Sequence, residues 1–307
     1  MTPKNRYTLF VFVSAAAAAL GAIVTEIALN FYYITPLSIA FFSNLSAGVL
    51  LLIPVLSDGS RPWRGWPAAD WLRLVAGALA VFCLGFMLYY LAIDHIGASK
   101  AVMLGRLEAI LVVILAVLFL GEKWSTRHWS GTFLAVGGTM LVNFDPAIWE
   151  LTLGAGEALT LLAATSFAGG IVILKPLLDR RDPLFVTTGG FVIGSAFMLP
   201  LVMGIGPAVA TVTATTPVST IVGPVLFVLI IRGFLLGLSW WTYNAAMPHI
   251  GASRCSILFL SFVLMTFILQ IAIDTIAPGL GLQVPANLLT AATGGLIIVT
   301  GIILINR

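Results

Sequence analysis

Apolar runs about twenty residues long follow one another along the whole chain. They lie near 8–31, 36–56, 71–93, 98–120, 128–144, 155–177, 184–204, 223–246, 252–273 and 287–305. A run of that length crosses the hydrocarbon core as a helix, because only a helix satisfies its own backbone polar groups there. The expected fold class is therefore an all-α integral membrane protein of ten transmembrane helices. Gly, Pro and charged residues punctuate the gaps, as at Thr35-Pro36, Asp58-Gly59, Gly121-Glu122-Lys123, Asp145-Pro146, Asp182-Pro183 and Pro278-Gly279. The gaps are too short for a soluble domain. The first run follows Lys4 and Arg6 and includes a stretch of alanines, as a signal peptide would. It is longer than a typical signal h-region and is expected to stay as the first span.

Composition excludes the soluble alternatives. Of 307 residues, 60% are AVILMFWYC and only 9% are charged, with a mean hydropathy of +1.09. A soluble chain needs about 25% charged residues to cover its surface. The net charge of +3 leans basic, but the 15 Lys and Arg are scattered in ones and twos. Nucleic-acid binding needs them clustered on a face, so no nucleic-acid partner is expected. Cys83 and Cys255 both lie within apolar runs and read as small buried hydrophobes. No metal-spaced cluster, nucleophile elbow or phosphate-cradling loop is present, so neither an enzyme nor a cofactor is expected. Transport driven by this chain's own ATP hydrolysis is excluded with them.

Cationic residues set the orientation. With the N-terminus inside, the inner segments hold Lys4, Arg6, Arg61, Arg64, Arg73, Lys123, Arg127, Arg180, Arg181, Arg254 and Arg307. The outer segments hold only Lys100, and Arg106, Lys175 and Arg232 fall inside the runs. The chain is expected to be multi-pass in the cytoplasmic (inner) cell membrane, with both termini in the cytoplasm.

An internal duplication is visible by eye. His95-Ile96-Gly97-Ala98-Ser99-Lys100 recurs as His249-Ile250-Gly251-Ala252-Ser253-Arg254, a shift of 154, and Tyr89 and Ala92 match Tyr243 and Ala246. The copies join runs three and four, and runs eight and nine. Each half then has five spans, an odd number, so the second half must lie inverted relative to the first. Such repeats are the architecture of alternating-access transporters, whose substrate site lies near mid-membrane between the halves.

Leu107-Glu108, Leu120-Gly121-Glu122, Trp129-Ser130-Gly131 and Gly137-Gly138 resemble the EamA-type branch of the drug/metabolite transporter superfamily. The resemblance covers essentially the whole chain. It implies two inverted five-helix repeats, 1–146 and 147–307, and carriage of a small metabolite: amino acids, nucleotide-like compounds, polyamine-like cations or drugs. Export is the direction it favours. Two positions depart from the pattern. Asp274-Thr275-Ile276 stands where the second half would repeat Leu-Gly-Glu, and Val24-Thr25-Glu26 occupies the place of a Trp-containing pattern in the first span.

Charges at membrane depth are expensive, so they usually face the interior and carry function. Arg106 and Glu108 fall near mid-depth in the fourth run, Arg232 equally deep in the eighth, and Glu26 in the outer third of the first. On a continuous helix Arg106 and Glu108 point about 200° apart and cannot share a face. Arg232, Ser239 and Tyr243 fall on one stripe, as do Phe82, Gly85 and Tyr89. Ala15, Ala18, Ala19 and Ala22 lead to Glu26 and leave room for a ligand or a close helix.

The expected substrate site is a cavity lined by spans one, three, four, six, eight and nine, with Glu26, Asn44, Tyr89, Arg106, Glu108, Arg232, Ser239, Trp240 and Tyr243 as candidates. Arg106 or Arg232 would hold a carboxylate, whose shape a guanidinium matches. Glu108 or Glu26 would hold an ammonium group or a coupling proton. The aromatics would supply apolar and cation–π surface. The competing structural reading pairs Glu108 with Arg232, or Glu26 with Arg106, and makes Asn44 an interhelical hydrogen-bonding group. The histidines of the repeated motif read as loop caps.

The expected function is secondary active transport of a small amphipathic metabolite, an amino acid or related zwitterion, by alternating access, with a proton as candidate coupling ion. The partners are a small-molecule substrate and the lipid bilayer, the chain being monomer or homodimer. The alternatives are a gradient-independent exchanger or uniporter of an organic cation or nucleotide-like metabolite, and an intramembrane enzyme acting on lipid. A channel would need a continuous polar lining that these runs lack.

Overall fold

Start signals in the gaps become helix caps. Thr35 accepts the Ser38 N–H at 3.3 Å with Pro36 in the first turn, and Asp182 accepts the Phe185 N–H at 2.8 Å ahead of Pro183. Proline suits that position because its missing N–H would have no partner there. In the computed structural model, which describes residues 3–32, 35–57, 63–144, 154–205, 218–280, 282 and 287–306, helices follow the apolar runs. They are α1 (Pro3–Tyr32), α2 (Pro36–Ser57), α3 (Ala68–Ala78), α4 (Phe86–Gly105), α5 (Leu107–Leu120) and α6 (Thr126–Val142). The later ones are α7 (Ala155–Leu178), α8 (Pro183–Ile205), α9 (Val218–Ile250), α10 (Ala252–Phe259), α11 (Ser261–Ile276) and α12 (Leu288–Asn306). A π-helical stretch, Leu79–Gly85, links α3 to α4.

Among the described residues, nine helical stretches are long and apolar enough to cross a membrane. The remaining expected run, 128–144, forms α6, which at 17 residues sits at the short end of spanning length. Asp58-Gly59, Asp145-Pro146, Arg61, Arg307 and the 146/147 boundary lie outside the described residues.

Small residues set the closest helix contacts. A Cβ on Gly138 would stand 2.6 Å from the Gly294 carbonyl, and one on Gly301 would stand 2.5 Å from that of Gly131. Gly131 thus faces Gly301 and Gly138 faces Gly294, so α6 and α12 run antiparallel with their backbones touching. α1 and α9 are also antiparallel: Ser14 Oγ donates to the Ser239 carbonyl (2.8 Å), and Arg232 Nε donates to Thr25 Oγ1 (2.7 Å).

Interruptions matter more than lengths. Gly97 (φ 77, ψ 161) and Gly251 (φ 87, ψ 155) break the chain at positive φ, where a Cβ would be strained. Nine residues beyond each, Arg106 (φ −66, ψ −16) and Leu260 (φ −58, ψ −18) make a second, milder break. There the N–H groups bond three residues back, Arg106 to Met103 (3.3 Å) and Leu260 to Ile257 (3.2 Å). Both pairs of breaks are 154 positions apart, the shift of the repeated motif.

The π-helical stretch has identifiable support. Widening the helix releases backbone carbonyls, which need other donors in an apolar medium. Asn44 Nδ2 donates to the Phe82 carbonyl (2.8 Å) and Ser166 Oγ to the Ala80 carbonyl (2.8 Å). Phe82 itself is fully buried, packed on Phe191 at 4.4 Å between ring centroids.

Candidate functional site

A large cavity of about 870 Å³ lies among α1, α4, α5, α7, α9, α10 and α11, with the end of α6 adding Val142 and Asn143. The six spans expected to line it all do so. Its lining runs from Gly97, Asn143, Asp274 and Leu282 at one end to Ser14, Ser239 and Ser256 at its floor, and includes no residue of the second motif copy, 249–254.

Eight of the nine candidate residues line this cavity: Glu26, Tyr89, Arg106, Glu108, Arg232, Ser239, Trp240 and Tyr243. The ninth, Asn44, does not. It is fully buried against the π-helical stretch, and its amide nitrogen is taken by the Phe82 carbonyl. The interhelical role weighed for it from sequence is the one its hydrogen bond supplies.

Arg106 and Glu108 correct the expectation of opposed faces. They do share the cavity, because the chain breaks between α4 and α5 at Arg106 itself. The 200° offset applies to a regular helix, whereas at Arg106 the turn tightens and its N–H bonds only three residues back, to Met103. Arg106 Nε donates to the Val102 carbonyl (3.0 Å), and its guanidinium lies 4.5 Å from the centroid of the Phe262 ring. A cation over an aromatic face is stabilised there without losing its charge to a carboxylate.

The two structural ion pairs are not what holds these charges. Arg232 Nε is taken by Thr25, leaving both Nη groups for a ligand, while its guanidinium packs against Gly21. Glu26 accepts from Gln270 Nε2 at 3.0 Å. Glu108 makes no hydrogen bond or ion pair to any described residue, although it lines the cavity.

Aromatic rings form one wall. Trp240 stands 6.3 Å from Phe86 and 5.8 Å from Tyr243, with Phe167 at 6.5 Å. Of the expected stripe Phe82, Gly85 and Tyr89, only Tyr89 reaches the cavity. The π-helical stretch shifts the register, so Phe86 takes the lining position and Phe82 packs behind Trp240 at 5.1 Å. At the floor, Tyr243 Oη and Ser256 Oγ are 2.7 Å apart and Ser14 Oγ lies 3.1 Å from Ser239 Oγ.

The two motif histidines behave differently. His95 Nδ1 lies 2.9 Å from the Leu91 carbonyl of its own helix, whereas His249 stacks on Tyr7 at 3.5 Å. Sequence reading missed Glu122 and Glu157. Glu122 accepts the Ala252 N–H at 2.7 Å, and Glu157 pairs with Lys100 while accepting the Gly154 N–H at 3.1 Å. For Glu122 a signal existed in Leu120-Gly121-Glu122, but no spacing rule says which distant helix it reaches.

Comparison with known proteins agrees with this architecture. Residues 5–144 match the EamA-like transporter family. An uncharacterized transporter of Bacillus subtilis is 24% identical over 248 residues, 80% of this chain and 78% of its own. A probable terminal-alkyne amino-acid exporter of Streptantibioticus cattleyicolor is 27% identical over 215 residues, 69% of this chain and 65% of its own. A protein of solved crystal structure superposes with a TM-score of 0.78 over 98% of this chain and 96% of its own at 16% identity, which shows a shared fold. Apolar helices long enough to span a membrane, and relatives named as transporters, make this chain a multi-pass membrane protein whose residues 5–144 are similar to the EamA-like transporter family.

Proposed function

We propose that the protein is a secondary active transporter of a small amphipathic metabolite, an amino acid or related zwitterion, working by alternating access in the cytoplasmic membrane with both termini inside. The observation that carries this reading is charge of both signs in one cavity at membrane depth: Arg106 and Glu108 from one half, Arg232 from the other. A zwitterion offers a carboxylate to a guanidinium and an ammonium group to a carboxylate, and its side chain meets the wall of Phe86, Phe167 and Trp240. The exporter relative is consistent with an amino-acid-like cargo and with outward movement.

Inverted halves of residues 1–146 and 147–307 fit the paired breaks at Gly97 and Gly251 and at Arg106 and Leu260. They also fit the antiparallel pairing of α6 with α12, since equivalent helices of inverted repeats run in opposite directions. In the proposed orientation the motif copy at 95–100 is outside and that at 249–254 inside. In that orientation the end of the cavity lined by Gly97, Asn143 and Asp274 faces outward, which supports a mouth on the outer side. Glu108, which makes no hydrogen bond or ion pair to any described residue, is the candidate site of a coupling proton.

A thermal-shift screen of purified protein against amino acids, polyamines, nucleosides and quaternary amines tests the substrate class. A ligand at 100 times its Kd stabilises the folded state by about 2.7 kcal/mol. Zwitterionic amino acids are expected to raise the melting temperature. Shifts confined to quaternary amines or nucleosides would reject the zwitterion.

A further inference from the structure

Glu122 lies outside the cavity and serves the closed end of the molecule. α5 stops at Gly121, whose left-handed backbone (φ 67) turns the chain, and the N–H groups of Gly121 and Glu122 both return to the Ala116 carbonyl. That turn sends the Glu122 side chain across to the second half. There Oε1 accepts the Ala252 N–H at 2.7 Å and Oε2 the Ser253 N–H at 3.2 Å. These amides are free because Gly251 breaks the helix just before them, leaving α10 with the partnerless N–H groups of any helix start. A carboxylate accepting two of them is held both by charge-assisted hydrogen bonds and by the positive end of the helix.

Neighbouring contacts at this end are of the same kind. Tyr7 stacks on His249 at 3.5 Å, and Arg254 Nη2 approaches His128 Nε2 at 3.5 Å. Each joins elements that must separate for the cavity to open here. α10 is also the helix that carries Ser256, part of the cavity floor, so moving its first turn moves the floor. Both partners of the Glu122 cap, carboxylate and amides, are well solvated by water once exposed, which makes the contact breakable in a way that apolar packing is not.

We propose that Glu122 is the latch of the gate at this end: it caps α10 while the cavity is open on the opposite side and leaves the cap when the access reverses. The proposal rests on the alternating-access reading above. It assigns the Leu-Gly-Glu turn a mechanical role, with glycine aiming the carboxylate and the carboxylate holding the gate.

Cys255 is a native reporter, fully buried immediately behind the cap. In a Cys83→Ala chain, its labelling by an impermeant maleimide in inside-out vesicles reads opening of this gate. A second chain, Cys83→Ala/Cys255→Ser/Ala22→Cys, labelled in right-side-out vesicles, reads the cavity mouth, since Ala22 lines the cavity. Glu122→Gln keeps the size of the side chain but removes its charge. It is expected to raise the Cys255 labelling rate about tenfold, with Ala22→Cys labelling unchanged or lowered. No change at Cys255 with Ala22→Cys reactive would overturn the latch alone. A rise at both positions would also overturn it, because a latch trades one opening for the other and general loosening does not. Protection of Ala22→Cys in the chain with native Glu122 would refute outward opening, and the latch with it.

Discussion

Glu108 and Arg232 share a cavity but differ in what the protein asks of them. Arg232 has a structural tie through Nε to Thr25, so its position is set before any ligand arrives. Glu108 has no such hydrogen bond or ion pair among the described residues, only the Arg106 guanidinium in the same cavity. Glu108→Gln should therefore change stability by no more than about 0.5 kcal/mol, while flux in proteoliposomes falls at least about tenfold and loses its pH dependence. Wild-type flux with the original pH profile would remove Glu108 from the mechanism. For Arg232→Lys the expectation is graded. An ammonium group can reach a carboxylate but cannot match it with two parallel hydrogen bonds, so titration calorimetry should show Kd rising about tenfold. Equal affinity would make Arg232 a structural charge serving Thr25.

Helices as stretches were legible because a bilayer imposes one length on every span, and the runs report it. Interruptions were legible only where a residue type betrays them. Gly97 and Gly251 stand out inside the repeated motif, but Leu260 has neither Gly nor Pro beside it and Gly105, just before Arg106, stays helical, so only the backbone angles reveal these breaks. That blind spot is why Arg106 and Glu108 were expected to diverge. The π-helical stretch Leu79–Gly85 was equally hidden, because hydrophobic periodicity cannot register one extra residue in a turn whose neighbours are all apolar. Its trace in the sequence is indirect: a lone Asn44 in the second run, whose partner is a backbone carbonyl. Asn44→Leu should leave that carbonyl without its donor and cost about 1 kcal/mol, read as a lower melting temperature. Because Phe86 and Tyr89 follow directly on this stretch, ligand affinity should weaken as well. A lower melting temperature with unchanged affinity would mean that Asn44 stabilises the helix without setting the cavity wall.

At the scale of the whole chain, the duplication explains more than any single motif. One break pattern recurs in both parts of the chain: the first copy of the motif borders the cavity through Gly97 and Lys100, while the second adds no residue to its lining. Under the proposed alternating access this difference between the copies has a use: interchanging their surroundings would move the opening across the membrane without moving the charged centre. The proposed inversion of the halves requires the copies to face opposite sides. His95 and His249 are both exposed and mark them. In a Cys83→Ala/Cys255→Ser chain, His95→Cys should react with an impermeant maleimide added outside intact cells. His249→Cys should react only in inside-out vesicles. Reaction of both from the same side would mean an even number of spans between the motifs. The halves would then be parallel, and exchange of states between them could no longer carry a substrate across.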